Sequence, residues 1–318
     1  MLQYLIILLD DTSTSFCHYE NTKLEQRPMP IDTLRQGIRF GMMENLMIQF
    51  VYPDYELPSE YAETVESIDH SKIKSLPYTL QQDGSIDADV IVFNGFRKID
   101  YNVNVSVVLR VNKQELFDNE AKVTELLCRA SRLNIVLTDM ETFNDEDFSI
   151  YKSLLERLSK IVERLFVEGK TPQLNLLTDR MMLHQMNNCG AGDTTITLAP
   201  NGRFYLCPAF YYEDEADSVG DLEKGLDIKN KQLYRLDYAP ICRHCDAWQC
   251  KRCIWLNRKI TLEVNTPSHE QCVVGHLERN ASRELLNNIR KHGTFLPEQK
   301  EIKEIDYLDP FEKRDEWQ

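Results

Sequence analysis

Seven of the chain's nine cysteines fall between Cys189 and Cys272, and four of them form one run, Cys242-x2-Cys245-x4-Cys250-x2-Cys253. Two C-x2-C pairs let a tight turn offer two thiolates to one metal centre, and a second turn adds two more. Small packed core residues are the competing explanation. The run is interleaved with Arg243, His244, Asp246, Gln249 and Lys251, so it reads as a metal site instead. Zinc and iron–sulfur clusters both accept four thiolates, and ligand type does not choose between them. Seven thiols supply one complete four-thiolate site and one three-thiolate site that needs another ligand or stays open. His184 is a candidate eighth ligand, whereas His244 reads as a surface residue of its turn.

At 318 residues the chain has room for one large domain or two ordinary ones. A net charge of −14 argues against nucleic acid as the main partner, because phosphate binding needs a basic face. The apolar run Leu5–Leu9 is too short to span a bilayer and lacks the flanks of a signal peptide. The expectation is a cytoplasmic protein with no membrane partner, whose cysteines are reduced ligands rather than disulfides.

Expected strands are Tyr4–Leu9, Met47–Tyr52, Asp89–Phe93, Val105–Arg110, Leu133–Thr138 and Leu174–Leu177. They are Val-, Ile- and Leu-rich without polar alternation, as parallel strands covered on both faces are. Between them, helical spacing marks Ile31–Glu44, Phe117–Ser131 and, most clearly, Asp145–Glu168, with Asn144 as its N-cap and Gly169 as its stop. Ser59–Ser71 shows the pattern more weakly. This is a βα array of about 180 residues, short of the roughly 250 that a closed eight-fold barrel takes. Residues 1–180 are therefore expected to form a partial (βα)6 barrel, 181–294 a small cysteine-rich metal domain, and 295–318 a charged tail. Cys128, beside Leu126 and Leu127, is expected in the core. The aromatics Phe204, Tyr205, Phe210, Tyr211 and Tyr212 read as core rather than as a peptide groove.

Cys189-Gly190-Ala191-Gly192, Gly202-x4-Cys207-Pro208, the four-cysteine run and the single Cys272 together resemble the SPASM domain of radical SAM peptide-modifying enzymes. That family carries two auxiliary four-iron clusters. The resemblance implies that Cys189, Cys207 and Cys253 share the first cluster, while Cys242, Cys245, Cys250 and Cys272 hold the second. The central run is slightly shorter than the family's usual spacing, and the upstream eighth cysteine of some members is missing. The βα array likewise resembles a radical SAM core. Such cores place Cys-x3-Cys-x2-Cys just after the first strand, but the matching positions here are Ser13, Cys17 and Glu20. Where the family has Gly-Gly-Glu-Pro after the second strand, this chain has Val51-Tyr52-Pro53-Asp54. The resemblance thus implies lost radical chemistry and no S-adenosylmethionine cofactor.

Within that family the overall pattern is most similar to the CXXX repeat peptide maturases. This implies maturation of a small ribosomally synthesised peptide (a RiPP) with cysteine at every fourth residue. The chain would be an auxiliary iron–sulfur or peptide-binding component, with that precursor peptide and an active radical SAM enzyme as partners. A zinc-stabilised peptide-binding module without redox function is the alternative. A third reading, Cys17 as a nucleophile beside His18, suffers because adjacent residues rarely aim at one reacting atom. Cys17 reads as a relic or a packed thiol.

Overall fold

The computed structural model describes residues 1–81, 88–96 and 105–302. Its main strands are β1 (Tyr4–Leu8), β2 (Met47–Val51), β3 (Lys72–Pro77), β4 (Val90–Asn94), β5 (Ser106–Val111), β6 (Arg132–Leu137), β7 (Thr195–Leu198) and β8 (Phe204–Tyr205). The helices are α1 (Ile31–Met43), α2 (Ser59–Glu66), α3 (Lys113–Asp118), α4 (Glu120–Arg129), α5 (Asp145–Val167), α6 (Asp179–Met182), α7 (Pro208–Glu213), α8 (Ile254–Thr261) and α9 (His269–Arg290). The described residues form two compact units. Among the described residues the first draws on 1–96, 105–110 and 189–238, the second on 111–188 and 239–302.

In the first unit the strands run β5-β4-β3-β2-β1-β7-β8, all parallel except the last pair. Leu5, Ile7 and Leu8 of β1 are fully buried, as expected of a strand covered on both faces. Helix α1 turns Leu34, Gly37, Ile38 and Gly41 inward. A Cβ at Gly37 would stand 2.3 Å from Leu198 Cδ2, so this glycine lets the helix lie close against β7. The stretch carrying Cys189 and Cys207 therefore packs with β1. The aromatics Phe204, Tyr205, Phe210, Tyr211 and Tyr212 are all buried in this unit.

Strand β3 was not among the expected strands, because Lys72, Lys74 and Ser75 interrupt its apolar run. Lys74 is nonetheless buried, and its Nζ reaches Glu66 Oε1 on α2 at 2.7 Å. That ion pair is what lets a lysine occupy a covered strand.

In the second unit α5 and α9 pack along each other. Asn144 caps α5 by accepting from the backbone N–H groups of Glu146 and Asp147, and Gly169 follows the helix at φ +79°. The expected helix 117–131 is two helices, α3 and α4, meeting at Asn119. Cys128 is exposed, which corrects its assignment to the core. Val123, Leu126 and Leu127 take the buried face of α4, and the next residue turns about 100° away from them.

Leu174–Leu177 does not form a strand either. After one bridge to Leu133 the chain turns, with Thr178 N–H donating to Leu174 O at 2.7 Å. The Asn175 side chain then pairs with both the N–H and the C=O of Ile135, at 2.9 Å each, in place of a strand backbone. Of the expected charged tail, residues 303–318 lie outside the described residues. The described start of that tail is tied down: Arg290 donates to the carbonyls of Leu296 and Gln299, and Phe295 packs on Phe166. Among the described residues no helix is long and apolar enough to cross a membrane.

Candidate metal centre

The four-cysteine run folds as a chain of tight turns in the second unit. Cys245 N–H donates to Cys242 O at 3.1 Å, Cys250 N–H to Ala247 O at 3.0 Å, and Ala247 N–H to Cys245 Sγ at 3.4 Å. Asp246 fastens these turns by accepting from Arg279 Nη2 at 2.7 Å and Arg180 Nη2 at 3.4 Å. The Arg180 guanidinium also lies over the Trp248 ring, 3.9 Å from its centroid.

Helix α9 closes the other side. Ser268 caps it in a reciprocal box with Gln271, which fixes where its first turn starts. Cys272, Gly275 and His276 then share one face at i, i+3 and i+4. Cys242, Cys245, Cys250 and Cys272 all line one enclosed cavity, together with Gly275 and His276. A methyl at Gly275 would sit 3.4 Å from Cys250 Cβ and 3.5 Å from its Sγ, filling space beside that sulfur.

Desolvation governs these thiols. Burial pushes the Cys242 thiol up to about 11, with Arg252 pulling the other way. Burial, then the neighbouring Cys242 and Cys272, raise Cys250 well above the usual thiol range. A cationic centre binding there would displace the protons of Cys242 and Cys250. Among the described residues no three His, Cys, Asp or Glu side chains are grouped to hold a single metal ion. Cys242, Cys245, Cys250 and Cys272 are the residues that would hold a four-iron cluster there, one thiolate per iron.

The other three expected ligands divide between the units. Cys253 caps α8 in the second unit, its Sγ accepting from Leu256 N–H at 3.4 Å. Cys189 and Cys207 belong to the first unit, where Cys207 caps α7. Burial, then the nearby Cys189 and more weakly Cys17, push the Cys207 thiol far up. The structure thus brings Cys17 within electrostatic reach of Cys207. His184 is exposed beside Gln299, and His244 is exposed on its turn.

The loop after β1 does not fit a three-thiolate cluster. Ser13 is fully buried and its hydroxyl is engaged twice, accepting from Asp10 N–H at 3.0 Å and donating to Val51 O at 2.8 Å. Arg110, at the end of β5, takes the centre of the loop. Its guanidinium donates to the carbonyls of Cys17 at 2.7 Å and Tyr19 at 2.6 Å, to Asn94 Oδ1 at 2.5 Å, and to the Glu20 carboxylate at 3.1 Å. A serine bonded to backbone and a glutamate bonded to arginine leave Cys17 as the one thiol of that triplet.

What remains is a polar cavity of about 230 Å³ at the C-terminal ends of the strands, where open α/β sheets hold ligands. Thr14, Lys23, Asp54, Thr79, Asn94 and Arg110 are among its lining. Arg110→Leu is expected to leave the buried Tyr19 carbonyl and the part-buried Cys17 carbonyl unpaired and to destabilise the protein by about 2 kcal/mol or more, read by denaturant melts.

Two functional residues escaped the sequence reading. Arg110 carried no motif. His276 was signalled by the spacing Cys272-x3-His276 inside a helical stretch, which puts both side chains on one face.

No protein-family model matches the chain, and no curated protein matches it. Solved structures do match. Histidine-tagged anSMEcpe with bound AdoMet superposes with a TM-score of 0.63 at 13% identity, over 92% of this chain and 96% of that one. Native anSMEcpe with bound AdoMet and the Cp18Cys peptide gives 0.59 at 13% identity, over 92% of this chain and 100% of the other. At that identity the likeness is one of fold. The chain has a mixed α/β, parallel-sheet fold of the radical SAM type.

Proposed function

We propose that this chain is an auxiliary component in the maturation of a ribosomally synthesised, cysteine-repeat peptide, holding iron–sulfur at its SPASM-like site without radical SAM chemistry of its own. The observation that carries the reading is the cavity lined by Cys242, Cys245, Cys250 and Cys272. It stands in a chain of radical SAM fold whose cofactor loop is tied up by Ser13 and Arg110. When bound, a four-iron cluster there supplies reversible one-electron storage. The chain's residues provide four thiolates, a largely apolar surround, and the Asp246–Arg279 anchor that keeps the turns against α9. The peptide partner is supported by the neighbouring fold, since anSMEcpe structures hold the Cp18Cys and Kp18Cys peptides. Cys189, Cys207 and Cys253 are proposed ligands of a second cluster, with an active radical SAM enzyme as a further partner and the cytoplasm as the compartment.

One observation favours a zinc-stabilised peptide-binding module as the second reading. Cys245 Sγ and His276 Nε2 lie 3.6 Å apart, near the roughly 3.5 Å separating a sulfur and a nitrogen on one tetrahedral zinc.

Purification without oxygen, followed by iron, acid-labile sulfide and zinc analysis, tests the reading. About eight irons per chain with matching sulfide are expected for two clusters, and about four for the four-cysteine site alone. Zinc without sulfide would overturn the redox component and leave the binding module.

A further inference from the structure

Helix α9 brings a second kind of group to the four-cysteine cavity. His276 lies one turn beyond Cys272, lines the same cavity and is half-buried. Its Nε2 is 3.6 Å from Cys245 Sγ, within the longer reach of a hydrogen bond to sulfur. Ala247 N–H also donates to that sulfur, at 3.4 Å. Cys245 is thus approached by a backbone donor and by an imidazole. Gly275 keeps the adjoining face open beside Cys250.

We propose that His276 is a positioning residue of the four-cysteine site: its Nε2–H donates to the Cys245 sulfur, holds that ligand in place, and sets the reduction potential of the cluster bound there. The inference rests on the iron–sulfur reading given above. Hydrogen bonds to cluster sulfurs favour the more electron-rich, reduced state, because the donor's positive end offsets the added charge. The histidine is placed for this by its own helix. The Cys272 thiolate and the donor to Cys245 come from adjacent turns of α9, so the helix both ligates and tunes. Asp246, directly after Cys245, is held by Arg279, one turn further along the same helix face. That ion pair restrains movement of Cys245 relative to His276.

The test uses the full-length protein, prepared without oxygen, in three forms: wild type, His276→Leu and His276→Gln. Each is assayed for iron, sulfide and zinc, and its midpoint potential is read by spectroelectrochemical titration with dithionite and mediators. The proposal expects equal iron and sulfide in all three forms. The potential should be more negative in His276→Leu and largely restored in His276→Gln, whose amide retains an N–H donor. An unchanged potential in a fully loaded His276→Leu overturns it. Loss of iron from both variants while wild type keeps it also overturns it, making His276 a ligand rather than a donor. Wild type that carries zinc and no sulfide defeats the underlying iron–sulfur reading itself, which separates that failure from the other two.

Discussion

Cys250→Ser is expected to lose about four irons per chain, with the matching sulfide, while any iron held elsewhere is retained. Cys250 sits between the turn segment and α9, its side chain facing Gly275. Burial first, then the neighbouring Cys242 and Cys272, raise its thiol. A serine hydroxyl at that position fits sterically, but it does not give up its proton to iron as a thiol does. Folding and cluster binding share the same contacts, so the loaded wild type should melt at a higher temperature than the stripped wild type. Cys250→Ser should melt at the stripped temperature whether or not iron and sulfide are supplied. Iron analysis and paired thermal melts read both effects. A variant that still carries the full wild-type iron would remove Cys250 from the ligand set.

The second large effect concerns Glu278, two turns along α9 from Cys272 and only 8% exposed. Tyr151 Oη donates to its Oε1 at 2.7 Å and Gln249 Nε2 to its Oε2 at 3.5 Å. Burial raises this carboxyl from 4.5 to about 7, against the pull of those two donors. A folded-state pKa above the unfolded one means the protonated form suits the fold. That favourable contribution is complete below about 4.5 and is lost as the pH rises through about 7. The raise corresponds to about 3 kcal/mol.

Glu278→Gln keeps the shape and removes the titration. Relative to wild type, the variant should therefore gain about 3 kcal/mol of stability at pH 8 and little at pH 4.5, measured by denaturant melts across that range. An equal difference at both pH values would show that the carboxylate is not the buried cost.

The parallel sheet was legible because β1, β2, β4 and β5 are predominantly apolar runs, and α5 because Asn144 and Gly169 punctuate a long stripe. Where polar groups carry the structure, the pattern failed. Lys74 hides a strand because its charge is settled on another element, Glu66, which no local window contains. Asn175 imitates a strand with a side-chain amide. The Leu174–Leu177 run is apolar enough to be a strand and lacks only the backbone to follow it. At the site, spacing grouped Cys242, Cys245, Cys250 and Cys253 as one run, and only the family resemblance put Cys272 with the first three, the set that lines one cavity. Arg110 was invisible because its partners are backbone carbonyls more than ninety residues away in the sequence.

The place of β7 beside β1 has a consequence for how the chain is made. Leu5 to Leu8, almost wholly apolar, are flanked by β2 on one edge and by residues 195–198 on the other. A ribosome delivers the first edge early and the second only after some 140 further residues have emerged, on the order of ten seconds at typical rates. Through that interval β1 presents an unpaired hydrophobic edge, the surface most prone to pair with another chain. The N-terminal βα array is thus not a unit that synthesis can finish and set aside. A protein cut after residue 180 would keep that edge open permanently, and the cysteine-bearing segment from 189 onward acts, for β1, as the strand that ends its exposure.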